Sequence, residues 1–104
     1  MAKDLNKESF DQAISKSKVS IVDFWAEWCM PCRMLEPVME ELEKELKGKI
    51  DFYRVNVDEN PELAARFGIE SIPTLFIFKE GKPVDEIIGF RQKRELESLI
   101  SPYI

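Results

Sequence analysis

Residues 19–26 read VSIVDFWA, and this segment limits the possible folds more than any other part of the chain. Branched and aromatic side chains occupy both its odd and its even positions, so a strand made from it is apolar on both faces. Such a strand is stable only when other layers cover both faces of its sheet. The segment therefore predicts a three-layer α/β fold with this strand near the centre.

The spacing of apolar and turn-forming residues predicts the other elements. Helices are predicted over residues 7–16, 34–48, 61–68 (with Asn60 as N-cap) and 92–103, and strands over residues 50–57 and in a hairpin over 74–90 that turns at 80–82. Pro37 lies inside the second helix and should kink it, because proline removes a ladder donor. Because strands that alternate with helices are usually parallel, we expect a mixed sheet whose first strands are parallel and whose last is antiparallel.

Length and charge exclude several classes of protein. A chain of 104 residues has apolar surface for one core, so we expect one domain over residues 1–104. The net charge is −5 and the basic residues are interleaved with acids, which argues against nucleic-acid binding. The longest apolar run, IPTLFIF, is too short to span a membrane, and the start, MAKDLNKESF, lacks the apolar core of a signal peptide. We therefore expect a soluble protein located in the cytoplasm.

The two cysteines of the chain, Cys29 and Cys32, lie in the segment WAEWCMPCR. As a structural disulfide the pair would close a loop of about four residues, which the chain-entropy relation values at roughly 2 kcal/mol, against about 3 kcal/mol for a 15-residue loop. Structural zinc requires four ligands, almost always cysteine or histidine, and the chain contains no histidine. Neither the structural disulfide nor the metal site has positive support.

A reactive dithiol fits the position of the pair better. Cys29 lies where a buried strand ends and a helix begins, so its sulfur should face the free amide groups at the helix start, which favour the thiolate. Cys32 lies one turn later on the same helix face and should be less exposed than the accessible Cys29. Pro31 is suited to the first helical turn, where its missing N–H is not needed. These features predict a pair that cycles between dithiol and disulfide.

Asp23 and Pro73 are further candidates. Asp23 interrupts the buried strand, and desolvation should raise its pKa toward neutrality, so it could exchange protons with Cys32. The alternative is an acid that faces solvent or pairs with Arg54 or a lysine. Pro73 stands at a strand entry and could follow a cis bond, although most bonds before proline are trans.

Several segments, in order and spacing, resemble the thioredoxin family: VDFWAEWCMPCR, Pro37, VNVDENPELAARFGI, SIPTLFIFKEGK and IIGF. The resemblance implies the thioredoxin fold, with Cys29 as the attacking cysteine, Cys32 as the resolving cysteine and Asp23 as the buried acid. It also implies that Pro73 follows a cis bond. The family's substrate-docking rim would consist of Trp28, Met30, Pro31, Ile72, Pro73, Gly89 and Phe90, supported by Trp25, Pro37 and Arg54.

The chain departs from the family pattern at two positions, and the segment before its first predicted helix is short. Met30 replaces the usual glycine between the cysteines, which adds an apolar side chain at the docking rim. Arg54 stands where a lysine is common, and its fixed charge should hold Asp23 ionised more firmly. Few residues precede the first helix, so the first strand should be short.

The resemblance implies a monomeric protein-disulfide reductase that needs no metal or cofactor. Its partners would be proteins that contain disulfides, with an extended substrate segment pairing against the Ile72 backbone, and a thioredoxin reductase as the electron donor. The alternatives are a disulfide oxidant or isomerase, which the reduction potential would reveal, and a non-enzymatic binding module, which would tolerate loss of both cysteines.

Overall fold

The structure, a computed structural model, describes residues 2–104. Its strands are β1 (Lys3–Asp4), β2 (Val19–Trp25), β3 (Asp51–Asn56), β4 (Thr74–Lys79) and β5 (Lys82–Ile88). Its α-helices are α1 (Phe10–Lys16), α2 (Met30–Glu45), α3 (Pro61–Arg66) and α4 (Lys93–Ile100), and a 3₁₀ turn follows over Ser101–Tyr103. None of the helices within residues 2–104 is long and apolar enough to cross a membrane.

The strands form one mixed sheet in the order β1-β3-β2-β4-β5. The apolar segment VSIVDFW forms β2 at the centre of this sheet, where every residue from Val19 to Phe24 is buried. β3 is parallel to both β1 and β2, whereas β4 is antiparallel to both β2 and β5. The predicted three-layer α/β fold with a central mixed sheet is confirmed.

Helices cover the two faces of the sheet in pairs. We call the face covered by α2 and α4 the α2 face; its buried core comprises Val19, Ile21, Leu35, Met39, Leu42, Ile50, Phe52, Leu75, Ile77, Ile87, Leu96 and Ile100. We call the face covered by α1 and α3 the aromatic face; its buried core comprises Leu5, Phe10, Ile14, Val22, Phe24, Val55, Leu63, Phe76 and Phe78. Alternate residues of β2 contribute to each core, because successive side chains of a strand point to opposite faces.

The direction of β4 corrects the predicted topology. The alternation of strands and helices predicted that this strand would be parallel to β2, but the two are antiparallel. α3, the helix before β4, has six residues and is about 9 Å long, whereas a strand of six residues spans about 20 Å. α3 is therefore too short to return the chain to the other end of the sheet, and β4 starts from the end at which β3 finishes.

Several element boundaries also differ from the prediction. The helix predicted over residues 7–16 begins at Phe10, because a turn precedes it in which the Asn6 N–H donates to Ser9 Oγ (3.0 Å) and the Ser9 N–H donates to Asn6 Oδ1 (2.9 Å). Asn60 occupies the N-cap position of α3, but its side-chain amide donates to the Asn56 carbonyl instead of capping the helix. β1, which the periodicity alone did not predict, forms the short first strand that the family resemblance implies.

α2 runs from the cysteines through Pro37 without a break in the helix assignment. It ends at Glu45, three residues before Gly48, which has a φ of +87° in the following turn. This left-handed conformation is one that glycine adopts readily. The predicted end of the helix near Gly48 is confirmed, and the kink at Pro37 remains a prediction.

Candidate active site

Cys29 is the N-cap residue of α2, at the end of the loop that follows β2. Its backbone is extended, with φ −84° and ψ 108°, and its Sγ accepts a hydrogen bond of 3.2 Å from the Cys32 N–H. A free amide at the start of the helix thus points at this sulfur, as the sequence predicted. Such a contact favours a negatively charged sulfur. The hydrogen bond stabilises the charge, and so does the positive end of the helix dipole.

Cys29 and Cys32 form a disulfide in this structure, with their Cα atoms 5.3 Å apart. Both cysteines are buried in this oxidised state, with 4% of Cys29 and 3% of Cys32 exposed, so the predicted accessibility of Cys29 is wrong for this state. The pair forms a small cluster with buried Ala26, and the half-buried residues packed on this cluster are Trp25, Val57 and Ile72. Residues distant in sequence therefore cover the sulfur that the local pattern had placed in the open.

Asp23 is buried in β2 on the α2 face, and 5% of the residue is exposed. Its Oδ1 atom has no hydrogen-bond partner. Burial raises the pKa of this carboxyl from its ordinary value of 3.8 to about 7, although the Arg54 charge lowers it and the Glu36 charge raises it further. The predicted shift toward neutrality is confirmed, and the cause is desolvation.

Arg54 lies beside Asp23 in the register of β2 and β3, but its guanidinium group contacts other residues. Its Nη2 atom lies 3.3 Å from Glu36 Oε2, and its Cζ atom lies 3.8 Å from the centroid of the Trp25 ring. Arg54 lowers the pKa of Asp23, as expected from its charge, but burial outweighs this effect. The expected direction of the Arg54 effect is confirmed, whereas a firmer hold on the ionised form than a lysine would give remains a prediction.

The residues of the predicted docking rim differ widely in exposure. Trp28 and Met30 are 70% and 65% exposed, and Pro31 is also exposed. Ile72, Gly89 and Phe90 are half-buried, whereas Pro73 is buried and follows a cis peptide bond. The cis bond implied by the family resemblance is therefore confirmed.

Two contacts join the two sides of this rim around the disulfide. Cys29 Sγ lies 3.7 Å from the Ile72 carbonyl oxygen, and the Gly89 N–H donates to the Pro73 carbonyl at 2.8 Å. The loop before β4 and the end of β5 thus lie together beside the start of α2.

Two polar residues at the site were not predicted from the sequence. Asp58 Oδ2 accepts a 2.8 Å hydrogen bond from Trp28 Nε1, and Glu36 pairs with Arg54. The position of Glu36, one helical turn after Cys32, was a usable signal. Asp58 is 30 residues from Trp28, and no local pattern links them. Within residues 2–104, no group of three or more cysteine, aspartate or glutamate side chains is arranged to hold a metal ion.

Comparisons with known proteins agree with this geometry. The family model described as Thioredoxin matches residues 1–102. Thioredoxin from Staphylococcus haemolyticus is 48% identical over 96 residues, which cover 92% of this chain and 91% of the relative. Thioredoxin from Rickettsia bellii is 46% identical over 97 residues, which cover 92% of each chain.

Solved structures show the same similarity. A thioredoxin structure from Plasmodium falciparum superposes with a TM-score of 0.92 at 38% identity, covering 99% of this chain and 100% of that one. A thioredoxin variant from Halobacterium salinarum superposes with a TM-score of 0.90 at 35% identity, covering 98% and 89%. The chain therefore belongs to the thioredoxin family of protein-disulfide oxidoreductases, and its activity is the reduction of protein disulfides by dithiol–disulfide exchange.

Proposed function

We propose that Cys29 is the attacking cysteine and Cys32 the resolving cysteine in this exchange. The observation that carries the proposal is the hydrogen bond from the Cys32 N–H to Cys29 Sγ, because it stabilises charge on one sulfur of the pair. Cys32 lies inside the first turn of α2 and has no equivalent position at the helix start. The two sulfurs therefore differ in their chemistry even though they are equally buried.

The reaction transfers two electrons from the reduced pair to the substrate. The Cys29 thiolate attacks one sulfur of a substrate disulfide, forming a mixed disulfide and releasing the other substrate sulfur as a thiolate. Cys32 then loses its proton and attacks Cys29 Sγ, which breaks the mixed disulfide and releases the second substrate thiolate. The two substrate thiolates take up protons, and the chain is left with the Cys29–Cys32 disulfide.

Asp23 is proposed as the group that accepts the proton of Cys32. A carboxyl with a pKa of about 7 is partly ionised at neutral pH, so it can both accept and return a proton there. Asp23 lies on the α2 face, under the helix that carries Cys32, which supports this role. Loss of the ionised form below about pH 6 should slow the resolving step.

The substrate is proposed to bind across the rim formed by Trp28, Met30, Pro31, Ile72, Pro73, Gly89 and Phe90. The exposed aromatic and thioether groups of Trp28 and Met30 offer apolar contact next to the disulfide. Trp25, Pro37 and Arg54 are proposed to support the site from behind. An extended substrate segment would pair with the Ile72 backbone, whose carbonyl already lies beside Cys29.

The protein is proposed to act as a monomer in the cytoplasm, with a thioredoxin reductase as its electron donor and all 104 residues in one domain. A protein that reduces disulfides works best where a reductant keeps its own thiols reduced, and the cytoplasm provides this condition. The donor must supply two electrons for each substrate disulfide that is reduced.

A trapping experiment tests these assignments. In Cys32→Ser the resolving sulfur is absent, so the mixed disulfide through Cys29 should accumulate and be visible by mass spectrometry with insulin as the substrate. Cys29→Ser is the matched control, since it keeps one cysteine but removes the proposed nucleophile. Equal trapping by both variants, or trapping by neither, would contradict the assignment. In the trapped complex the substrate segment should contact Met30 and the Ile72 backbone.

A further inference from the structure

A small cavity lies over Asp23 on the α2 face, away from the disulfide rim. Its volume is about 30 Å³, which is room for about one water molecule. Its lining comprises Ala2, Asp23, Glu36, Met39, Glu40, Glu43, Tyr53 and Arg54. The buried Asp23 carboxyl, whose Oδ1 has no hydrogen-bond partner, therefore borders this cavity between α2 and β3.

Arg54 could pair with Asp23 but does not. The two residues are register partners on adjacent strands, and the side chains of such partners lie on the same face of the sheet. Within residues 2–104, however, no ion pair joins them, and the guanidinium group contacts Glu36 and the Trp25 ring. A buried carboxyl beside an arginine would ordinarily gain from a direct ion pair. Other contacts of the Arg54 guanidinium group must therefore outweigh an ion pair with Asp23.

We propose that Glu36 is a positioning residue for the buried acid: its carboxylate holds the Arg54 guanidinium on its own side of the cavity, away from the Asp23 carboxyl. The Trp25 ring also holds the Arg54 guanidinium away from Asp23, since a guanidinium 3.8 Å from a ring centroid is in cation–π contact. The cavity beside Asp23 then stays open to water instead of being filled by the arginine.

Other charged and polar groups also line the cavity around Asp23. α2 contributes Glu36, Glu40 and Glu43 to the cavity lining, and β3 contributes Tyr53 and Arg54. The Tyr53 hydroxyl is hydrogen-bonded to Ser17 Oγ at 3.0 Å, so it points toward α1 on the other side of the sheet. Among these groups, Glu36 is distinguished by its contact with the arginine. The disulfide sulfurs do not titrate in the oxidised protein.

Two effects of Glu36 should act in the same direction. Its negative charge directly disfavours ionisation of Asp23, and its contact with Arg54 keeps that positive charge farther from Asp23, so that the arginine favours ionisation less than it would in a direct ion pair. Removing the Glu36 charge should therefore lower the pH at which Asp23 titrates. Glu36 is half exposed at the surface, so its replacement by glutamine should leave the fold intact.

The test is an NMR titration of the Asp23 side-chain carboxyl carbon in the oxidised full-length protein. In Glu36→Gln the midpoint should fall by about 1 pH unit. Glu40→Gln is the matched control, because it removes the same charge from the same helix and the same cavity without touching the arginine. Its shift should be less than half as large. Equal shifts in the two variants would overturn the proposal, because they would show only a general effect of charge.

A double-mutant cycle separates positioning from direct repulsion. Arg54→Met should raise the Asp23 midpoint by itself, since it removes a favourable cation. If Glu36 acts through the arginine, Glu36→Gln should shift the midpoint less in the Arg54→Met background than in the natural chain. The same shift in both backgrounds would overturn the proposal and leave direct repulsion as the explanation.

This inference rests on the proposed role of Asp23, but its test does not depend on catalysis. The titration reports on the Asp23 carboxyl whether or not that group exchanges a proton with Cys32. If Asp23→Asn leaves insulin reduction unchanged, the proposed proton transfer fails, whereas the positioning of Arg54 by Glu36 is judged by the midpoints alone. The two ideas can therefore fail separately.

Discussion

The two faces of the sheet differ in what they bury. On the aromatic face, the rings of Phe10, Phe24, Phe67, Phe76 and Phe78 contact one another with centroids 5.2 to 6.0 Å apart. The α2 face is mainly aliphatic and contains Asp23, the one carboxyl buried among residues 2–104. One face is packed for stability, and the other accepts a group that is unfavourable when ionised.

The aromatic residues that stabilise the fold by apolar packing and the carboxyl proposed to exchange protons therefore lie on opposite faces of one β-sheet. Neighbouring residues of β2 point to opposite faces, so Val22 and Phe24 belong to the aromatic core while Asp23 between them lies on the α2 face. Substitutions on the aromatic face should change the free energy of unfolding at all pH values. Substitutions at Asp23 should change its dependence on pH.

The largest expected effect is on the aromatic face. Phe78 is 2% exposed and contacts the rings of Phe10, Phe67 and Phe76. Phe78→Ala should lower the free energy of unfolding by about 3 to 5 kcal/mol, because it removes buried apolar surface and leaves a cavity. Urea denaturation at two pH values, such as 5 and 8, would measure this loss.

The matched control for that change is Phe78→Leu, which keeps most of the volume and should cost less than about 1.5 kcal/mol. Insulin reduction per folded molecule should be unchanged in both variants, since Phe78 lies on the face away from the cysteines. A loss that differed strongly between the two pH values would break the distinction between the faces.

The next effect concerns Asp23, and its sign follows from the raised pKa. In the folded protein the pKa is about 7 and the ordinary value is 3.8, so Asp23 favours the fold fully below pH 3.8 and loses this contribution as the pH rises to about 7. The difference corresponds to at most roughly 4 kcal/mol. The stability of the natural chain relative to Asp23→Asn should therefore fall by up to this amount between pH 3.5 and pH 8.

Urea denaturation of the oxidised proteins across this range would measure the effect. Below pH 3.8 the difference between natural chain and variant should be constant, which provides the internal control. A difference that stayed constant up to pH 8 would show that Asp23 is not desolvated. The α2 face would then not differ from the aromatic face in the pH dependence of its stability.

The sequence predicted those features that depend on near neighbours. The position of Cys29 at the start of a helix followed from the pattern on either side of it, and the burial of Asp23 followed from the apolar strand around it. The direction of β4 was wrong, because it depends on the length of α3 compared with the sheet. The local pattern of apolar and turn-forming residues does not show how the length of a helix compares with the length of the strands that it connects.

The cover over the cysteines could not be predicted for a related reason, and although the helical position of Glu36 placed it near the site, its pairing with Arg54 could not be predicted either. Ile72 lies beside Cys29 although 43 residues separate them, and the burial of the sulfur depends on this approach. Glu36 and Arg54 are charged residues on different elements, and charged residues in a sequence are usually solvated at the surface. Only the packing of α2 against β3 brings the two together.

The smallest expected effect lies at the outer edge of the aromatic face, at Arg66. Its guanidinium forms two hydrogen bonds with Asp11, of 2.8 and 3.1 Å, and its Cζ atom lies 5.0 Å from the centroid of the Phe67 ring. Arg66→Met should cost about 0.5 to 1 kcal/mol, because exposed ion pairs and exposed cation–π contacts are each weak.

Urea denaturation of Arg66→Met and Asp11→Asn, each at low salt and in 1 M NaCl, would separate the contribution of the ion pair from that of the ring contact. Salt screens the ion pair but has less effect on the close contact between the Arg66 guanidinium group and the Phe67 ring. If the ion pair dominates, the two variants should lose the same amount at low salt and almost nothing at high salt. If the ring contact dominates, Arg66→Met should remain destabilised in salt while Asp11→Asn does not. A loss above about 2 kcal/mol for either variant would mean that charge, and not only ring packing, contributes strongly to the aromatic face.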